Sequence, residues 1–271
     1  MTGPAKKRRS LFLEVMPLLE LSFFEILGYS HKESLTFSEI MKFNPHHDDK
    51  GRFASGGAGG GSSGTASKIT SFKSTTQAET AMAKKYPGKN FDFSGADIET
   101  INPTVNEFDR LATRFPHTAK SMKGIEVQSD LYMDLKTGGR GAYAGMSKEG
   151  TMSLNTKYYS RPEAFGKQLQ SDAKSRWHPK GGDKIESIVT HEFAHHIANT
   201  IAQAGDSKST FQLAQIQAKL MKRDRVVKEI SQYGSKNYSE AFAEAFVAYE
   251  HGGIRTGLPK LVGEFIYKYA K

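Results

Sequence analysis

"IESIVTHEFAHHIANTI", residues 185–201, sets three histidines and a glutamate within six positions of an otherwise apolar run. Ile185, Ile188, Val189, Phe193 and Ile197 recur at helical spacing, so the segment predicts a partly buried helix. His191 and His195 stand four positions apart, on one face and one turn separated, where both imidazoles can reach a single ion. Glu192 flanks that face at the reach of a water beside the ion rather than of the ion itself. This is the H-E-x-x-H arrangement of two ligands and a general base. Two imidazoles at a site with no need of redox chemistry suit zinc, Zn²⁺. A solvated histidine-bearing face would spell the same letters, but the apolar remainder argues against it. A buried His-Glu-His cluster is costly unless something satisfies it. His196 is turned about a hundred degrees round the helix from His195 and is expected to face away from the ion.

A catalytic zinc takes three protein ligands and keeps a fourth position open. The best candidate for the third is Glu240, in "NYSEAFAEAFVAYEHGG", residues 237–253. That stretch predicts a helix opened by Asn237 and closed by Gly252 and Gly253. Glu244 lies one turn further on the same face, and alanines and phenylalanines fill the positions between. Two neutral imidazoles and one carboxylate would leave the ion net positive, which lowers the pKa of bound water toward 7. A structural alternative exists for Glu240. Asn237 followed three residues later by glutamate resembles a capping box, in which Glu240 bonds back to the helix start. Glu244 repeats the pattern where no cap is needed, which favours the ligand reading. Glu244 would then accept the far N–H of a histidine ligand and fix its tautomer.

The rest of the chain frames this pair of helices. With 271 residues it can hold one substantial core. It has no cysteine, so disulfides, cysteine-ligated zinc and thiol catalysis are excluded. The net charge of +9 is spread over scattered lysines, with no basic stripe interleaved with aromatics, so a nucleic-acid partner is not expected. Near the N-terminus, Lys6, Lys7, Arg8 and Arg9 precede an apolar stretch in the manner of a signal peptide. Glu14, Glu20, Glu25 and Pro17 interrupt that stretch, and no small-residue cleavage site follows. It is too charged to span a bilayer and reads as an amphipathic segment needing a partner surface. "GRFASGGAGGGSSGTASK", residues 51–68, has seven glycines and four serines and reads as a flexible linker. The organisation expected is therefore an appendage over 1–50, a linker over 51–68 and a folded domain over 69–271.

Within that domain, "STTQAETAMAKKY" (74–86) and "TVNEFDRLATRF" (104–115) read as helices, the second with Phe108, Leu111, Ala112 and Phe115 on one stripe. "KGIEVQSDLYMDL" (123–135) reads as a strand region. "GAYAGMSKEGTMSLN" (141–155) divides around "SKEG" into a hairpin. Asp183 is placed to cap the histidine helix and Gly205 to stop it, and "TFQLAQIQAKLMKRDRVVKEIS" (210–231) reads as one helix. Strands come first and helices follow, which suggests an α+β domain.

"HEFAHH" followed by "QYGSKNYSEAFAEAF" resembles the catalytic domain of anthrax lethal factor and its relatives, a zinc-protease family of the gluzincin type. The resemblance covers residues 185–250, extends in weaker form from about 100 onward, and includes nothing before 69. It implies a zincin-like metalloprotease domain with a small antiparallel or mixed sheet. It also implies His191, His195 and Glu240 as zinc ligands, Glu192 as general base and Tyr233 as the phenol that steadies the oxyanion. Tyr233 precedes Gly234 in a short turn ahead of the glutamate helix, so it can lean over the metal; a half-buried tyrosine would be the plainer account. The hairpin looks like the strand pair before the active helix in zincins. A protein or peptide substrate would lie extended along its edge near 141–147. The expected activity is endopeptidase hydrolysis by a zinc-activated water.

"FNPHHDDKGRFASGG", residues 43–57, resembles a short segment of bacteriophage head-associated proteins. His46, His47, Asp48 and Asp49 read as an Asn-Pro turn beside a linker rather than a metal cluster. The resemblance implies that residues 1–50 dock on a phage capsid or portal, with the enzyme as virion cargo or an effector delivered into a host cell. The rival is a virion structural or interaction protein whose zincin domain is catalytically silent. A silent domain has no physical need to keep Glu192.

Overall fold

The computed structural model describes residues 71–137 and 141–270. The expected appendage over 1–50 and linker over 51–68 lie outside the described residues, as does the proposed capsid- or portal-docking segment. What is described is mostly helical with one small mixed sheet, an α+β arrangement.

Ser74 opens helix α1 (Thr75–Lys85) by accepting the Gln77 N–H, and Lys84 and Lys85 sit where the helix dipole favours cations. Strand β1 (Asn90–Asp92) follows, then α2 (Ile98–Arg114), capped by Asp97 on the Glu99 N–H. The helix read from residue 104 therefore begins six residues earlier. Pro103 is carried inside the helix, and Thr100 and Ile101 ahead of it are already buried. The short α3 (Pro116–Ser121) leads into β2 (Gly124–Gln128).

The strand expected over 123–135 ends at Gln128. Ser129 takes the Tyr132 N–H on its hydroxyl, at 3.2 Å, and the Met133 N–H on its carbonyl, at 3.0 Å. With Asp130 in the first turn, these bonds start α4 (Asp130–Thr137) where a strand was expected. The hairpin forms as read: β3 (Ala144–Met146) pairs antiparallel with β4 (Thr151–Asn155). Its turn uses Gly150 at φ +94°, where a Cβ would fall 2.9 Å from His196 Cε1.

The strand order is β1-β2-β4-β3. The first three are parallel, with Ile125 opposite Met152, and β3 is the antiparallel edge, with Gly145 opposite Ser153. Helices α5 (Thr156–Tyr159) and α6 (Pro162–Lys174) follow, the latter with Pro162 at its start and Phe165 and Leu169 buried. Then comes α7 (Ile185–Gln203), the histidine helix. Its N-cap is Lys184, without a side-chain bond, so Asp183 lies one residue outside the capping position expected of it. Gly205, at φ +69°, follows its end.

The helix expected over 210–231 is two, α8 (Ser207–Leu220) and α9 (Arg223–Glu229). Leu220 and Val226 are both buried, yet would lie about 120° apart round an unbroken helix. The break at Met221–Lys222 lets both reach the core. A 3₁₀ turn (Tyr233–Lys236) then leads into α10 (Tyr238–Glu250), and α11 (Gly257–Tyr269) closes the fold.

The core gathers around α7, which packs against α2, α10 and β3. Phe193 is fully buried between Phe108 and Phe115, at ring-centroid distances of 6.5 and 6.3 Å, and Phe115 in turn meets Phe246 of α10 at 6.1 Å. These aromatic contacts fix α7 against α10, and therefore bring His191 and His195 to Glu240. Among the described residues, no helix is long and apolar enough to cross a membrane.

Candidate metal centre

His191, His195 and Glu240 come together as a buried group whose ligand atoms all lie within 4.8 Å of one another, an arrangement that could hold a metal ion. His191 Nε2 is 3.0 Å from His195 Nε2 and 3.0 Å from Glu240 Oε2, and His195 Nε2 is 3.5 Å from the same oxygen. Ligands on a tetrahedral zinc with bonds of about 2.1 Å stand about 3.4 Å apart, so the spacing matches the donor set.

The far sides of both rings are already engaged. His191 Nδ1 lies 2.9 Å from Glu244 Oε1, and His195 Nδ1 lies 3.0 Å from the Ser239 hydroxyl. Glu244 is held ionised, its pKa lowered to about 2: burial opposes the charge, and His178 and His191 outweigh it. A carboxylate only accepts, so His191 Nδ1 carries the proton and, in the neutral ring, Nε2 carries the lone pair. His191 Nε2, His195 Nε2 and a carboxylate oxygen of Glu240 thus converge, and a cation satisfies all three. In the metal-free centre a proton takes that part. Burial alone would lower the His191 pKa, but hydrogen bonds to Glu240 and Glu244 raise it well above the ordinary histidine value. Glu240 is correspondingly held well below the usual carboxylate range, with burial outweighed by His195 and His191.

Asn237 caps α10 through the Glu240 N–H, at 2.9 Å. Cap and histidine contact are therefore not alternatives. The cap uses the backbone of Glu240 and leaves its carboxylate free for His191 and His195.

Glu192 is buried on the same helix, and desolvation raises its pKa above the carboxylate value despite the neighbouring histidines. Tyr233 is buried with its ring 5.9 Å from that of His191. Burial and the charges of Glu240, Glu192 and Glu244 push the phenol well above its ordinary value, and it hydrogen-bonds Glu240. His196 faces elsewhere, with Nε2 2.8 Å from the Ser121 hydroxyl and a pKa lowered by burial to about 4.

Three residues at the centre were not anticipated. Ser239 adjoins Glu240 and supports His195. Ser231 donates to Glu244 Oε2 at 2.8 Å. His178, in "RWHPK", reaches Glu244 with Nδ1 at 3.2 Å. No spacing rule links His178 to a helix that begins seven residues later. Only the presence of a histidine beside the sole tryptophan could have drawn notice.

No family model matches this chain, and neither the curated proteins nor the solved structures include a match.

Proposed function

We propose that the chain is a zinc-dependent endopeptidase, with a zincin-like fold of the lethal factor type. The observation that carries this reading is the convergence of His191 Nε2, His195 Nε2 and one Glu240 carboxylate oxygen, with each ring engaged by a partner on its far side. His191, His195 and Glu240 would hold the ion. When bound, zinc supplies Lewis-acid polarisation of a carbonyl and makes water a stronger nucleophile at neutral pH.

The chain's own groups account for the rest. Glu192 is buried with a raised pKa, so it can accept a proton from the attacking water near neutral pH and return it. As the water oxygen bonds to the carbonyl carbon, Glu192 takes its proton. As the C–N bond breaks, Glu192 delivers that proton to the leaving nitrogen. The Tyr233 hydroxyl, kept protonated by burial and surrounding carboxylates, donates to the oxygen on which charge develops. Among the described residues, strand β3 is paired on one side only, and its other side can take an extended peptide as a further strand.

The test is Glu192→Gln beside Glu240→Ala, with zinc content and cleavage of a peptide library measured for each. Glu192→Gln should keep stoichiometric zinc and lose cleavage; Glu240→Ala should lose zinc. A native chain that binds zinc yet cleaves nothing in the library, with Glu192→Gln indistinguishable from it, would leave a silent domain as the better reading. In either case, the docking of residues 1–50 on a phage head remains a separate proposal, tested by co-sedimentation of the chain with capsids.

A further inference from the structure

His178 is buried, and the reaction just described does not use it. Its Nδ1 lies 3.2 and 3.3 Å from the two carboxylate oxygens of Glu244. The same carboxylate meets His191 Nδ1 at 2.9 Å and the Ser231 hydroxyl at 2.8 Å. The His178 ring stands between two tyrosines, 5.2 Å from Tyr233 and 6.0 Å from Tyr143, measured between centroids. Tyr143 immediately precedes the edge strand and donates its hydroxyl to buried Asp172 at 2.5 Å.

The segment that delivers His178 is strained. Arg176, at φ 59°, is the one non-glycine residue with positive φ among the described residues. Its guanidinium is tied to the Val227 and Lys228 carbonyls at 2.9 and 2.7 Å. The carbonyls of Arg176 and Trp177 accept the N–H groups of Gln232 and Tyr233, both at 2.9 Å. One short turn therefore brings an imidazole to Glu244 and holds the backbone of Tyr233. Strain of this kind persists only where its surroundings over-determine it.

We propose that His178 is a positioning residue for the metal centre, acting through Glu244. This rests on the metal-centre reading above. A carboxylate held by Ser231 alone can swing away from His191. Held on a second side by His178, it stays aimed at His191 Nδ1 and keeps the opposite lone pair turned toward the ion. Partners of metal-bound histidines commonly govern affinity in this way.

The experiment uses the full chain, with zinc alone as the probe and affinity read by competition with a chelating dye. His178→Ala and His178→Gln should weaken zinc binding about ten- to a hundredfold. His178→Asn, whose amide N–H falls where Nδ1 stood, should bind zinc less than about tenfold more weakly than the native chain. A merely structural role predicts instead that affinity tracks the metal-free melting temperature across the three variants. Native affinity in His178→Ala, or equal losses in the Asn and Gln variants, would overturn the proposal. If His178→Ala does not fold, the Asn–Gln contrast decides alone. A native chain that binds no zinc, or a Glu240→Ala variant that binds it as the native does, removes the metal-centre reading and this proposal with it. Loss in Glu240→Ala with no change in any His178 variant removes only the latter.

Discussion

Glu107 of α2 anchors the start of the histidine face, and its contribution can be worked out. Its carboxylate takes two N–H groups from Arg110, at 2.8 and 2.7 Å, and the hydroxyl of Thr190, the residue before His191, at 2.6 Å. His251 Nε2 stands 3.3 Å away. Burial alone would raise the Glu107 pKa, but Arg110 and His251 outweigh it and lower it from 4.5 to about 2. Lowering from 4.5 to about 2 corresponds to about 3 kcal/mol of stability. The sign is that of a carboxylate depressed by folding: the contribution is complete above the unfolded value and is lost as pH falls from about 4.5 to about 2. Glu107→Gln removes it at every pH. The variant should therefore be less stable than the native chain by up to about 3 kcal/mol at pH 7, and the gap should close on acidification through that window. Urea unfolding followed by circular dichroism from pH 7 to pH 2 measures both. A deficit of constant size down to pH 2 would refute the reasoning, because it would mean that the loss is steric rather than electrostatic.

Zinc binding at pH 7 should release about one proton, because His191 carries one in the metal-free centre and must give it up to ligate. Affinity should accordingly rise with pH toward the raised His191 value; titration calorimetry in two buffers of different ionisation enthalpy reads the count. Phe193→Ala empties a fully buried site between Phe108 and Phe115 and should cost about 3–5 kcal/mol in chemical denaturation.

Much of this was legible in the sequence because it depends on local spacing. The histidine face, the hairpin around Gly150 and the Asn237 cap follow from periodicity and turn chemistry, and the structure has all three. The pairing of Glu240 with His191 was legible only as chemistry: a two-histidine motif needs a third donor, and one helix offered carboxylates among alanines. What was missed depends on packing. Ser129 starts a helix that its flanking apolar residues disguised as strand. The break at Met221–Lys222 arises because two core positions, Leu220 and Val226, would fall on different sides of one unbroken helix. The approach of His178 to Glu244 is set by a left-handed arginine that no local preference would predict. In that last case the signal lies between segments far apart in the chain.

The free side of β3 carries a risk as well as an opportunity. An unpaired row of backbone donors and acceptors invites a second copy of the same chain as readily as it invites a peptide. Two features of the hairpin oppose that self-association. The strand is only three residues long, and its middle position, Gly145, offers a neighbour no side chain to grip. Lengthening this strand with β-branched residues should promote edge-to-edge aggregation of the chain.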